Sequence, residues 1–197
     1  MHEGSGERIL QDRLGVRERA DQFYDRQVLD HLNPRMREFI AVQEWMFIAT
    51  SDAGGACDSS LRSGPPGFVV VFGAETLAWP EYRGNGVMAS RGNIMENPNV
   101  DLLFVDFMQH QVGLHVNGRA RVAEDAELRA GHPGLPVDPL PARQPEHWVV
   151  AEVEEAYIHC SKHVPRLHRH VEDRHDFTHR APAKKADYFE AAARERA

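Results

Sequence analysis

Between Val112 and Val122 the chain alternates with a period of two: Leu114, Val116, Ala120 and Val122 fall on one side, His115, Asn117, Arg119 and Arg121 on the other. A helix would scatter those apolar groups around its axis, whereas a strand sends successive side chains to opposite faces. A strand with one apolar and one polar face suits an antiparallel sheet that covers a core on one side. The remaining strands must supply matching faces.

They are easily found. Trp45–Ser51 (WMFIATS) is aromatic, β-branched and too short for a surface helix, so it reads as a buried strand. Asp52-Ala53-Gly54-Gly55 is turn chemistry, and residues 56–62 (ACDSSLR) return as the antiparallel partner. Gly64-Pro65-Pro66-Gly67 breaks the sheet; Phe68–Phe72 and Thr76–Trp79 are further strands about a turn at Gly73. Residues 80–87 (PEYRGNGV) read as a loop, with Ser90 capping a short helix that Pro98 ends. Val100–Met108, and His147 to about Cys160 after a proline-rich loop over 131–146, complete the set.

Upstream, Val16, Ala20, Phe23, Tyr24, Val28 and Leu32 form a helical stripe. Asn33-Pro34 then reads as an N-cap followed by proline at the first helical position, with Met36, Phe39 and Ile40 as a short apolar face. The first dozen residues read as a mobile polar lead. The expected fold is mainly β with helices (β+α): six or seven short antiparallel strands in a small closed or split barrel, one short internal helix, and terminal helices. No GxGxxG motif and no βαβ rhythm points to a doubly wound sheet. The expected organisation is a polar segment and helix over 1–33, a barrel domain over 34–162, and a polar His-rich arm over 163–197.

A net charge of -7 argues against broad attraction to nucleic acid or anionic membrane. Cys57 and Cys160 are too few for a disulfide framework and lack metal-ligand spacing. No leader pattern and no apolar run of membrane-spanning length occurs, so the expected location is the cytoplasm. Histidine is the unusual count, 12 in all, with six between His159 and His179. His175 and His179 would share a helix face, as metal ligands do, but no HExxH arrangement accompanies them, and the arm (His163, His168, His170, Glu172, Asp173) reads as solvated. The expected metal set is empty.

The segments FIATSDAGGACDSSLRSGPPGFVVV, TLAWPEYRGNGVMASRGNIMENPNVDLLF and VNGRARV, in that order, resemble the pyridoxamine 5'-phosphate oxidase-like FMN-binding split-barrel family, from about Met36 to Lys162. The resemblance implies a homodimer of split barrels with FMN at the subunit interface.

FMN carries a phosphate, a polar ribityl chain and a flat ring with acceptors on its pyrimidine edge. A phosphate site needs guanidinium or ammonium groups, hydroxyls and free backbone N–H groups. Arg83, Gly84 and Asn85 offer a guanidinium and close-approaching amides, and Ser90 adds a hydroxyl at a helix start. Alone, the same residues describe a surface turn. Ser60 and Arg62 share a strand face; by the resemblance Arg62 contacts the flavin or its phosphate, with Ser59 or Ser60 near the ring or ribityl chain. The resemblance also sets the ring against the strand end at Trp79, though a core is the commoner place for a lone tryptophan, and brings Lys162 to the phosphate or pyrimidine edge, where a solvated lysine is the alternative.

No residue is marked as catalytic acid or base. The expected function is an FMN-dependent oxidoreductase acting on a small molecule. Alternatives are a non-enzymatic flavin or haem binder, or the same fold with a deazaflavin. Arg166-Leu167-His168-Arg169 resembles a substrate-binding segment of true pyridoxamine-phosphate oxidases, but it follows Pro165 in a polar arm, and 183–197 reads as a helix. That departure counts against the oxidase activity itself.

Overall fold

The computed structural model describes residues 5–137 and 144–168. Helices α1 (Gly6–Arg13), α2 (Arg17–Gln27) and α3 (Pro34–Ala41) precede the strands. Strands β1 (Trp45–Ser51), β2 (Cys57–Ser63), β3 (Val70–Val71), β4 (Thr76–Glu81), β5 (Asn99–Asp106), β6 (Val112–Glu124) and β7 (His147–His159) follow. Helix α4 (Ala89–Glu96) lies between β4 and β5, and α5 (Asp125–Gly131) follows β6. All seven strands join one antiparallel sheet, ordered β2-β1-β5-β6-β7-β4-β3. The fold is mainly β with helices.

The period-two pattern fills the core. Met46, Ile48, Leu102, Phe104, Leu114 and Val116 point inward and are almost fully buried, each such side chain being worth about 1.5–3 kcal/mol relative to exposure. The β6 alternation survives a bulge: Asn117 pairs with Glu155 but Gly118 with Val153, leaving Glu154 as the extra residue. The bulge presses the β7 backbone onto Gly118, where a Cβ would stand 1.9 Å from the Glu152 carbonyl oxygen. Only glycine fits.

Several expectations are corrected. From Ser5 on, the lead is a helix: the Ser5 side chain accepts from the Arg8 N–H, and Arg8–Asp21 and Tyr24–Glu7 contacts tie α1 to α2. The strand expected over Phe68–Phe72 shrinks to Val70–Val71, because residues 65–68 form a turn and the Phe72 N–H closes a hairpin on Thr76. The strand before the glycine loop runs on through Pro80 and Glu81, paired with Trp148 and His147. β3 covers only Leu77 and Ala78, so Pro80 stands where β4 is an edge, as proline requires. Helix α5 went unread in the sequence. His170, His175, His179 and the helix expected over 183–197 lie outside the described residues.

On the outer face a cross-strand row runs Leu61, Phe47, Leu103, His115, Tyr157. Leu61 is 55% exposed and Phe47 38%. His115, on the polar face of β6, stacks on Tyr157 and hydrogen-bonds Asp101 and His159 through its two ring nitrogens. Burial pushes the Tyr157 phenol above its ordinary value, an effect that the Asn117 side chain opposes and Asp101 and Glu155 reinforce.

Candidate cofactor site

Helix α4 points its N-terminus at a cleft of about 610 Å³ between β2, β4 and the glycine loop. Its aim is set by the core and by two side-chain bonds: Ile94 is buried, Asn93 Nδ2 donates to Thr50 Oγ1 at 3.0 Å, and Asn97 Nδ2 donates to Ser51 Oγ at 2.8 Å. The cap is unusual. Met88, with φ 57, holds the N-cap position and gives no side-chain hydrogen bond, so the first turn keeps unsatisfied N–H groups. Ser90 is not the cap. It lies within the first turn, buried, with its hydroxyl donating to Asp58 Oδ2 at 3.1 Å.

The loop before α4 is bent by Gly86 at φ +85, a conformation costly for any residue with a Cβ, and by Asn85, whose side chain accepts from the Val87 N–H at 3.0 Å. Opposite, Arg62 and Ser60 face the cleft from β2. Arg62 is engaged: Nε and Nη2 donate to Glu81 at 2.7 and 3.1 Å, and Nη1 donates to Ser60 Oγ at 2.8 Å and the Leu61 carbonyl at 3.3 Å.

Arg91 also lines the cleft, 9% exposed, and sequence reasoning missed it. Its Nη1 stands 2.9 Å from His147 Nδ1 and 3.5 Å from Glu146 Oε2. A guanidinium only donates, so His147 accepts at Nδ1; in its neutral form it carries its proton on Nε2, 3.3 Å from Glu124. Adjacency to Ser90 in a helix's first turn was the one available signal.

Of the residues singled out in the sequence, the cleft therefore brings together Ser60, Arg62, Gly84, Asn85 and Ser90. It does not include the others. Ser59 is exposed on the opposite face of β2, one residue out of phase with Ser60. Trp79 is fully buried and donates its indole N–H to Glu81 at 3.0 Å, a core position. Arg83 is exposed on the loop and outside the cleft lining. Lys162 lies beyond His159, at the end of β7 remote from the His147 that pairs with Glu81.

The donor set suits an anion with several acceptor oxygens. Asp58 and Glu81 balance Arg62 and Arg91 in formal charge, so attraction comes from placement: a helix N-terminus, loop amides and a hydroxyl line one side of the cleft, and the Arg62 guanidinium lines the other. A second cleft of about 630 Å³ beneath α1 and α2 sets Glu7 and Glu155 against Arg19 and is the poorer place for a phosphate. Among the described residues no three His, Cys, Asp or Glu are disposed to hold a metal, and no helix is long and apolar enough to cross a membrane.

A seven-stranded antiparallel, mainly β sheet with helices defines the class of split-barrel folds. Residues 32–160 match the pyridoxamine 5'-phosphate oxidase family model, and the chain belongs to that family. No curated protein matches it in sequence. Solved structures with similarity include HupZ from Group A Streptococcus, 22% identical, covering 64% of this chain and 92% of that one with TM-score 0.44. An FMN-binding protein from Syntrophomonas wolfei is 13% identical, covering 84% and 100%, with TM-score 0.46. HutZ, the haem storage protein from Vibrio cholerae, is 15% identical, covering 64% and 94%, with TM-score 0.40.

Proposed function

We propose that the cleft holds FMN by its phosphate and that the protein is a homodimeric FMN-dependent oxidoreductase acting on a small molecule. The uncapped α4 N-terminus, opening beside Ser90, Arg62 and Arg91, carries this reading. Bound FMN would supply the redox chemistry, and the chain's residues would bind and orient it. The amides of the first α4 turn and of Gly84 and Asn85 receive the phosphate, with Arg91 as its cation. Ser90 joins them when its hydroxyl turns from Asp58. Arg62, held rigid by Glu81, has one N–H left on Nη2 to offer to the ribityl chain or ring, alongside Ser60.

Trp79 acts indirectly, as a donor that fixes Glu81. Arg83 reaches the phosphate from the rim. Ser59 and Lys162 serve the site across the subunit interface, with the apolar row Leu61, Phe47 and Leu103 as the contact face.

The absorbance spectrum and the mass of the ligand in freshly purified protein test the reading. A yellow preparation releasing FMN is expected; a deazaflavin or haem mass would move the same cleft to another cofactor. Protein that is colourless and binds no added FMN overturns it. Reduction of the bound flavin by a nicotinamide donor, followed by reoxidation, separates an enzyme from a carrier.

A further inference from the structure

Beside the cofactor cleft, sharing Phe68, Pro80 and Tyr82 with it, lies a groove of about 150 Å³. Five prolines line it: Pro65, Pro66, Pro80, Pro136 and Pro145. Val137 and an edge of the buried Trp148 also line it, and among the described residues no Asp, Glu, Lys, Arg or His faces it. The Trp148 indole N–H is already committed to Asp125 Oδ1 at 2.8 Å.

One wall is rigid. Pro65-Pro66-Gly67-Phe68 is a turn closed by the Phe68 N–H on the Pro65 carbonyl at 2.9 Å, with Gly67 at φ +84 and proline before it, the requirements of a type II turn. Gly64 admits that turn, since a Cβ there would lie 2.5 Å from the Phe68 Cβ. That wall therefore keeps its shape without a ligand.

The groove's chemistry is narrow. Apolar walls around so small a groove favour a small flat ring, whereas a phosphate or carboxylate would surrender water and meet no charged side chain among the described lining residues. We propose that this groove receives a flat, uncharged ring belonging to the second reactant, next to the cofactor. The assignment rests on reading the larger cleft as the FMN site, because the shared residues bring a ring in the groove alongside whatever the cleft holds.

The test titrates the FMN-loaded protein with menadione as the neutral ring and with pyridoxine 5'-phosphate as the charged one, followed by calorimetry and ligand-observed NMR. Menadione is expected to bind and pyridoxine 5'-phosphate to leave it undisplaced. Val137→Glu places a charge at a position 69% exposed, where folding tolerates it. It should weaken menadione about ten-fold while FMN affinity changes less than about two-fold. Failure of menadione to bind, or binding indifferent to Val137→Glu, overturns the proposal. So does FAD that binds tighter than FMN and excludes menadione, which would give the groove to an adenine. Because every wall belongs to this chain, the same titration applies without FMN. Menadione bound in a protein that refuses FMN overturns the cofactor reading, and with it the role of second reactant, while leaving the groove a ring site; FMN bound without menadione overturns the groove alone.

Discussion

Arg62 and Glu81 clasp one another through two parallel hydrogen bonds, Nε to Oε1 at 2.7 Å and Nη2 to Oε2 at 3.1 Å, both lining the cleft between β2 and β4. Glu81 is 5% exposed and also accepts from the Trp79 indole. The guanidinium that the sequence offers to a phosphate is thus already neutralised and oriented. Its plane is fixed by the pair.

Breaking that pair from one side leaves a charge with no partner in a nearly buried place. Arg62→Met and Glu81→Gln should each destabilise the fold by about 3 kcal/mol in urea denaturation. The double variant should recover part of that loss, because no orphan charge remains. Additive losses would show that the two residues contribute independently.

Arg91 and Arg83 divide the cation role differently from the sequence reading. Arg91 lines the cleft at the first turn of α4, whereas Arg83 is exposed on the loop. Arg91→Met should weaken FMN by about ten-fold or more, and Arg83→Ala by less, as measured by fluorescence titration. The reverse order would return the phosphate to the loop.

The contrast shows what a sequence carries and what it leaves out. β1 and β2 were legible because their limits are local: alternation in the strands, and between them an Asp52 side chain that accepts from the Gly54 and Ala56 N–H groups. The Asn33 cap of α3 was legible for the same reason. Ser90 has capping chemistry too, yet a left-handed Met88 starts the helix earlier and the Ser90 hydroxyl goes to Asp58, 32 residues away. Arg91 owes its position partly to His147, at a separation of 56 residues. Such long-range pairings leave no mark on local pattern. Ser59 shows the reverse: alternation alone, applied strictly, separates it from Ser60.

Asp106 gives a pH dependence of defined sign. Burial alone would raise its pKa, but the N–H groups of Gln109, Met108 and His110 all donate to it and together hold it below the usual aspartate value. A carboxylate with a depressed folded pKa contributes stability that is present above the unfolded value of about 3.9 and lost as pH falls through the folded one. Asp106→Ala should cost about 1–2 kcal/mol near neutral pH. The gap between variant and wild type should narrow below about pH 4 in urea titrations. A gap constant with pH would remove the ionised carboxylate from the explanation.

Leu61 tests the homodimer. It stands 55% exposed on the outer face beside Phe47, in register with it, so an apolar pair faces outward from two neighbouring strands. Leu61→Asp removes no core contact and should leave the monomer folded by circular dichroism. Sedimentation should then report a monomer, because a lone carboxylate buried against an apolar partner face has nothing to pair with. If FMN lies between subunits, with Ser59 on the same strand face as Leu61, its affinity should fall about ten-fold or more with dimerisation. A monomer that keeps full FMN affinity would place the cofactor wholly within one chain. A variant that stays dimeric would move the interface to another face of the barrel.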